Sequence, residues 1–272
     1  QNISVTLPIN TRYIRIQRSE GTGNIQFDAV SYYTPCEPPC VTPTAYNVTG
    51  GGSFCSGGTG VAVGLSGSET GVTYQLYVGA TTVGSPVSGT GSAISFGNQT
   101  TAGTYTVVAT RTSGGCTANM TGSVTVTVYS LPTTATIATN PLNYCGTLVS
   151  GSLGGNTPAI GTGAWSVVSG GTGTFSSSAS GSSTFTANTY GTYVLRWSIS
   201  NGTCTPSTAD VTVNYYATPT TATVGATQNI CGSLTSSALG GNTPAIGTGA
   251  WSVVSGGTGT FSSSASGSST FT

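Results

Sequence analysis

Two segments of the chain, GTYTVVATRTSGGC at residues 103–116 and GTYVLRWSISNGTC at residues 191–204, share one pattern. Each opens with Gly-Thr-Tyr, and in each a cysteine follows eleven residues after the tyrosine. Both are rich in the β-branched and aromatic residues that favour strands. The pattern predicts two equivalent β-strands, each followed by a turn that ends in a cysteine.

Further strand candidates recur along the chain at spacings of about ten residues, separated by segments rich in Gly, Ser and Thr. Nothing in the sequence has a helical period. We therefore expect an all-β protein built of tandem, immunoglobulin-like antiparallel β-sandwiches in a linear array. The candidates in the first unit are residues 60–65, 72–78, 93–96, 103–111 and 123–129; those in the second are 164–168, 173–177, 183–187, 192–200 and 209–216.

A repeated block sets the domain organisation. The 34 residues of 153–186 recur without a mismatch at 239–272, and PTTAT precedes both copies. We expect one domain at 41–130, a repeat at 131–216, and a third repeat at 217–272 that is cut short at Thr272. No signal peptide opens the chain, so it is expected to be part of a longer protein.

The first forty residues differ from the rest. Residues 1–35 alternate with period two and are expected to be the closing strands of a preceding β-sandwich. Within them the stretch TRYIRIQRSEGTGNIQFDAVSYY is similar to the closing strands of discoidin-like or other carbohydrate-binding jelly-roll domains, and this resemblance implies that type of sandwich. The segment 36–40 is stiffened by proline and is interpreted as a linker. Three arginines on these strands could form a ligand face together with two acidic residues, or they could be solvated strand positions with weak surface pairing. They are Arg12, Arg15 and Arg18, with Glu20 and Asp28.

Seven cysteines predict a disulfide framework and an oxidising, extracytoplasmic setting. Similar spacings predict one bridge of about 60 residues within each repeat, and a partner for the last cysteine about 60 residues further on, beyond Thr272. The alternative, a metal site, lacks histidine and a CxxC pair. The expected bridges are Cys36–Cys40, Cys55–Cys116 and Cys145–Cys204, with Cys231 left for that later partner.

The composition argues against chemistry in this chain. Charged residues make up 4% of it, the net charge is zero and there is no histidine. These values argue against nucleic-acid partners, catalytic residues, metal sites and cofactors, and no stretch is apolar enough to span a membrane. Trp165, Trp197 and Trp251 could stack on sugars, but we expect them to lie in the sandwich cores.

Two stretches resemble a known group of proteins. The first, YQLYVGATTVGSPVSGTGSAISFGNQTTAGTYTVVATRTSGGCTANMTGSVTVTV, resembles the Ig-like repeats of very large surface proteins of Bacteroidota. The second, GAWSVVSGGTGTFSSSASGSSTFTANTYGTYVLRWSISNGTCTPSTADVTV, is similar to the PKD-like repeats of the same proteins. The resemblance covers about residues 41–272. It implies secretion by the type 9 system, display at the cell surface, and a role such as adhesion or gliding motility.

The sequence supports three hypotheses about function. The first is a non-catalytic extracellular stalk of disulfide-braced repeats with a structural and adhesive role. The second is a glycan-binding module at the N-terminal sandwich, with the repeats as a spacer. The third is a subunit of a polymerised filament. The expected partners are surface glycans, other cell-surface proteins, the secretion and attachment machinery, or further copies of the chain.

Overall fold

The computed structural model describes residues 40–272. The predictions for the preceding sandwich, the linker, the Cys36 bridge and the face formed by Arg12, Arg15 and Arg18 therefore lie outside the described residues.

Every regular element in the described part is a β-strand. The first sandwich contains β1 (Val48–Gly50), β2 (Gly52–Cys55), β3 (Val61–Leu65), β4 (Val72–Val78), β5 (Thr81–Ser88), β6 (Ile94–Gln99), β7 (Gly103–Arg111), β8 (Thr117–Asn119) and β9 (Val124–Tyr129). The second contains β10 (Leu142–Cys145), β11 (Thr162–Ser169), β12 (Gly173–Phe175), β13 (Phe185–Ala187), β14 (Gly191–Ser200) and β15 (Ser207–Tyr216).

The first sandwich packs two sheets against each other. One has the strand order β1-β3-β6 and the other β2-β9-β7-β4-β5, with β8 paired to β7. Alternate side chains of the two central strands of the larger sheet are buried, because strand side chains point to opposite faces in turn. The buried residues are Tyr74 and Leu76 from β4, and Tyr105, Val107 and Ala109 from β7.

The second sandwich has a four-stranded sheet in the order β10-β15-β14-β11 and the short pair β12-β13. Its central strand β14 alternates strictly, and the inward residues Tyr193, Leu195, Trp197 and Ile199 are fully buried. The all-β tandem sandwich architecture expected from the sequence is thus confirmed.

The tyrosine that opens each Gly-Thr-Tyr strand ties the strand to the turn before it. The Tyr105 hydroxyl donates to the Thr101 carbonyl at 2.8 Å, and the Tyr193 hydroxyl donates to the Thr189 carbonyl at 3.1 Å. A buried tyrosine that bonds to backbone a few residues upstream is the tyrosine corner of immunoglobulin-like domains. Tyr105 and Tyr193 make the contact of a tyrosine corner, although each lies eleven residues before the following cysteine instead of two.

Two tryptophans pack against each other in the second core. The rings of Trp165 and Trp197 have centroids 5.1 Å apart, and both side chains are buried. Gly163 lies so close to the Trp197 ring that a Cβ there would overlap it. The Trp165 indole N–H donates to the Ser180 carbonyl at 2.9 Å. The expectation that Trp165 and Trp197 are core residues is confirmed.

The sheets are not wholly antiparallel, which corrects part of the expectation. Strand β2 runs parallel to β9, and β10 runs parallel to β15. In both cases the short strand ends in a cysteine that lies opposite a tyrosine, Cys55 opposite Tyr129 and Cys145 opposite Tyr216. Each sandwich therefore has a cysteine opposite the tyrosine that ends its last strand.

The third unit has loops like those of the second sandwich but not its paired strands. Residues 217–272 contain no strand, and the one bridge described there joins Phe261 and Phe271. Its contacts nevertheless repeat those of the second unit, since Trp251 donates to the Ser266 carbonyl at 2.8 Å just as Trp165 does to Ser180. Its ordered loops correspond to residues 131–186, whereas β11 of the second unit gains its pairing from β14, which follows that block.

Candidate functional site: the junction between the sandwiches

A disulfide joins the two sandwiches to each other. Cys55 at the end of β2 is bonded to Cys204 in the loop between β14 and β15, with the Cα atoms 4.9 Å apart and a sequence separation of 149. The expected bridges Cys55–Cys116 and Cys145–Cys204 were therefore wrong. The spacing on which they were based reflects the repeat of the architecture, not a contact within one repeat.

The strand register explains why a bridge within one repeat does not form. Gly103 at the start of β7 pairs with Val126, so Cys55, which lies opposite Tyr129, is beyond the beginning of β7. Cys116 follows the end of the same strand. The nine residues of β7 span about 30 Å, far more than the 4.4–6.8 Å between the Cα atoms of a disulfide. The same argument separates Cys145 from Cys204 along β14.

The loop that carries Cys204 makes further contacts with the first sandwich. The Asn201 side-chain amide donates to the Ser130 carbonyl at 2.8 Å. Gly202 has a φ of +52° and lies directly against the Tyr129 ring, where a Cβ would overlap the ring. The Cys204 sulfur is 3.3 Å from the Ser130 carbonyl oxygen, a packing contact because an oxidised sulfur carries no hydrogen. Cys204 is buried as a result.

The segment that connects the two sandwiches is also anchored on its far side. The Thr133 N–H donates to the Ile160 carbonyl at 3.0 Å, and its hydroxyl accepts the N–H of Ile160 at 2.8 Å. The Ala135 N–H donates to the Ser207 hydroxyl at 2.9 Å. With Ser130 held by Asn201, the connection is fixed at both ends, and only two residues lie between the anchors.

An ion pair holds the segment that enters the first sandwich. The Arg111 guanidinium contacts the Glu69 carboxylate at 2.6 Å and donates to the Val41 carbonyl at 2.8 Å. Glu69 also accepts the Thr44 N–H at 2.6 Å. Cys40, immediately before this segment, and Cys116, after β7, are both disulfide-bonded. The segment that enters the first sandwich is therefore held by the Arg111–Glu69 ion pair and by hydrogen bonds at Val41 and Thr44.

This ion pair predicts a defined pH dependence. Hydrogen bonds from Thr44, followed by the Arg111 contact, lower the pKa of Glu69 from 4.5 to about 2. Because the pKa is lower in the folded chain, the stabilisation is complete above pH 4.5 and is lost as the pH falls towards 2. We expect Glu69→Gln to reduce the free energy of unfolding of the first sandwich by about 1–2 kcal/mol at pH 7, allowing for the partial exposure of both side chains.

Urea unfolding at pH 7, 4 and 2 measures this effect. The parent chain and Glu69→Gln should converge in stability at pH 2. Asp210→Asn is the matched control, because its carboxylate pairs with Arg196 in the second sandwich and its loss should leave the unfolding of the first sandwich unchanged at each pH. A constant stability difference between parent and Glu69→Gln across this pH range would contradict the assignment.

The other two charged side chains among residues 40–272 are also paired. Arg196 on β14 and Asp210 on β15 are opposite each other in the ladder and form a two-point contact at 2.8 and 2.9 Å. This contact lowers the pKa of Asp210 below its usual range. Among residues 40–272 no cluster of metal-ligating side chains is found. The described part of the chain also has no helix that could cross a membrane.

Two clefts open on the third unit, and the residues that line them show how the clefts arise. They are lined by residues that include Leu239, Trp251, Phe261 and Phe271. Their counterparts in the second unit, 86 residues earlier, are core residues covered by β14 and β15. The clefts are therefore the uncovered half of a sandwich core, and their shape gives no reason to assign a small ligand.

Two cysteines are free thiols within the described range. Cys145 and Cys231 are both exposed. For Cys145 this corrects the expected bond to Cys204. The partner expected for Cys231 lies beyond residue 272, so the described residues do not test that pairing.

Comparison with known proteins gives a general likeness only. No family model and no curated protein matches the chain. Immunoglobulin domains 1–4 of Sidekick-1 are 10% identical with a TM-score of 0.44, over 65% of this chain and 50% of that one. The fibronectin(III)-like modules of Clostridium thermocellum CbhA are 16% identical with a TM-score of 0.33, over 63% and 95%. The eight N-terminal Ig domains of Down Syndrome Cell Adhesion Molecule are 12% identical with a TM-score of 0.40, over 65% and 25%. The chain thus spans half of the Sidekick-1 structure, and its function is inferred from its own geometry.

Proposed function

We propose that the chain is a segment of an extracellular stalk, a structural and adhesive protein made of β-sandwiches that are joined covalently across their junctions. The observation that carries this proposal is the Cys55–Cys204 disulfide, which links two sandwiches rather than two strands of one sandwich. Each sandwich has its own buried core without this bond. The bond restricts the movement of one sandwich against the next, which is what a stalk under tension requires.

The other junction contacts support the same role. Asn201 and Gly202 hold the loop of the second sandwich against Ser130 and Tyr129 of the first. The connecting segment is anchored on both sides and leaves two residues between its anchors. Relative motion of domains is the usual expectation for a short linker without a large interface. Here a covalent bond and hydrogen bonds oppose that motion.

The chemistry of the described residues supports a non-catalytic, extracellular role. The four charged side chains after residue 40 form two ion pairs with each other. General acid–base catalysis needs a group that exchanges a proton with substrate, and these groups are engaged in structural contacts. Disulfides form and persist in oxidising compartments. Both features favour a secreted protein whose contribution is mechanical.

The finer part of the proposal concerns the setting. The resemblance of residues 41–272 to repeats of Bacteroidota surface proteins supports export by the type 9 system and display on a bacterial surface. In that setting the stalk would act in adhesion or gliding motility, with surface glycans or other cell-surface proteins as partners. The low surface charge also suits lateral association of several chains.

Labelling of whole cells tests this proposal. An antibody raised against residues 41–216 should label intact cells that make the chain, and immunogold electron microscopy should place the label on extensions from the surface. Brief protease treatment of intact cells should remove the signal, while a cytoplasmic protein stained in parallel stays protected. Label that is seen only after lysis would contradict the proposal.

A further inference from the structure

The second sandwich presents a copy of the surface that receives Cys204 on the first. Cys145 ends β10 opposite Tyr216, as Cys55 ends β2 opposite Tyr129. The backbone beyond each cysteine closes in the same way, with the Ser56 N–H 2.7 Å from the Tyr129 carbonyl and the Gly146 N–H 2.8 Å from the Tyr216 carbonyl. The two surfaces are equivalent in strand, register and hydrogen bonding.

The two copies differ in whether they are covered. On the first sandwich Cys55 is oxidised and the Tyr129 ring lies beneath Gly202. On the second sandwich Cys145 is a free, exposed thiol and the Tyr216 side chain is 57% exposed. The first copy shows what occupies such a surface, namely an Asn-Gly-Thr-Cys loop between two strands of the following sandwich.

We propose that Cys145 is the attachment point for the next repeat, and that it forms a disulfide with the β14–β15-type loop of a sandwich that completes residues 217–272. Each sandwich would then be bonded to the one after it by the same pair of positions. This inference does not depend on where the protein is displayed or what it adheres to.

The segments that connect consecutive units are equal in length and in the contacts that anchor them. Three residues lie between Tyr129 and Thr133 and between Tyr216 and Thr220, and both segments read Tyr-x-x-Pro-Thr. Thr220 repeats the anchor of Thr133, since its N–H donates to the Ile246 carbonyl at 3.0 Å and its hydroxyl accepts the Ile246 N–H at 2.9 Å. The third unit therefore begins on its connection as the second does.

The geometry also distinguishes this pairing from a bridge inside the third unit. Cys231 corresponds to Cys145, and the loop cysteine that completes its unit would lie at the far end of a β14-type strand. The ten residues of β14 span about 33 Å, so Cys231 and that cysteine cannot meet within one sandwich. The exposed thiol within reach is Cys145 of the unit before.

Bond formation is an ordinary thiol–disulfide exchange with glutathione disulfide as the oxidant. The Cys145 thiolate attacks one sulfur of glutathione disulfide, forms a mixed disulfide and releases one glutathione thiolate. The thiolate of the incoming loop then attacks the Cys145 sulfur and releases the second glutathione. The two cysteine thiols lose two electrons and two protons in total, and one glutathione disulfide becomes two reduced glutathione molecules.

The repeat itself supplies the test. Because residues 239–272 are identical to 153–186, the full chain can be lengthened after Thr272 by a copy of residues 187–216, which completes the third unit and adds one loop cysteine. The lengthened chain is refolded with reduced and oxidised glutathione, digested without reduction, and mapped by mass spectrometry. We expect a peptide that links Cys145 to the added cysteine, with Cys231 left as a free thiol.

Two variants of the lengthened chain sharpen the result. With Cys145→Ser the added cysteine should change from more than nine-tenths protected to fully reactive with maleimide, whereas Cys231→Ser should leave it protected. Both positions are exposed, so neither change should prevent folding. A link between the added cysteine and Cys231, a Cys145–Cys145 link between two chains, or a Cys145 that stays free after the third unit has folded would each overturn the proposal.

Discussion

Complete reduction of the disulfides should lengthen the chain by about 500 Å when it is pulled from its two ends in a single-molecule force experiment. Cys55 and Cys204 are 149 residues apart in sequence but adjacent in space. In the oxidised chain, tension therefore passes from β2 directly to the loop before β15. Strands β3 to β14 lie inside the closed loop and cannot extend, even if both sandwiches unfold. This is the largest effect expected from any change to the molecule.

Two variants separate this effect from a general loss of stability. Cys204→Ser should increase the extension of the oxidised chain without any reductant, because it opens the loop. Cys145→Ser is the matched control, since this cysteine is free and exposed and its change should leave the oxidised trace as it is. An oxidised parent chain that extends as far as the reduced one would contradict a covalent junction.

The central strands could be predicted from sequence because their signal is local. The predicted ranges 72–78 and 103–111 coincide with β4 and β7, whose inward side chains are apolar at every second position. The edge strands carry less of that signal. Strand β5 contains Gly84 and Pro86, which are unfavourable within a sheet and are tolerated at its edge.

The short strands β2 and β10 could not be predicted, and with them the site was missed. Each has four residues and is held by parallel pairing with a strand about 70 residues later, so no local pattern marks it. Without these strands the position of Cys55 is unknown, and equal spacing then suggests a bridge within the repeat. A useful signal was present in the equal connections between Tyr129 and Thr133 and between Tyr216 and Thr220, which indicate that the junctions repeat as well as the domains.

The second large effect concerns the core of the second sandwich. Trp165→Ala should lower the free energy of unfolding of this sandwich by about 3–5 kcal/mol, the usual cost of removing a buried aromatic side chain. Trp165 is 4% exposed and packs between Trp197 and Phe175, with ring centroids 5.1 and 6.2 Å away. Urea unfolding followed by the fluorescence of Trp197 measures the change.

The chain contains its own control for this prediction. Trp251 lies in an identical 34-residue block and makes the equivalent hydrogen bond, but it is only half-buried because no strand covers it. Trp251→Ala should therefore leave the unfolding of the second sandwich unchanged. A loss of stability of the third unit on Trp251→Ala, equal to that of the second sandwich on Trp165→Ala, would mean that the third unit already has a completed core. Loss of sugar binding on Trp251→Ala, with stability unchanged, would instead favour the stacking role considered for this residue. The two variants thus compare the contribution of a tryptophan to stability in a completed core with its contribution in the same sequence without covering strands.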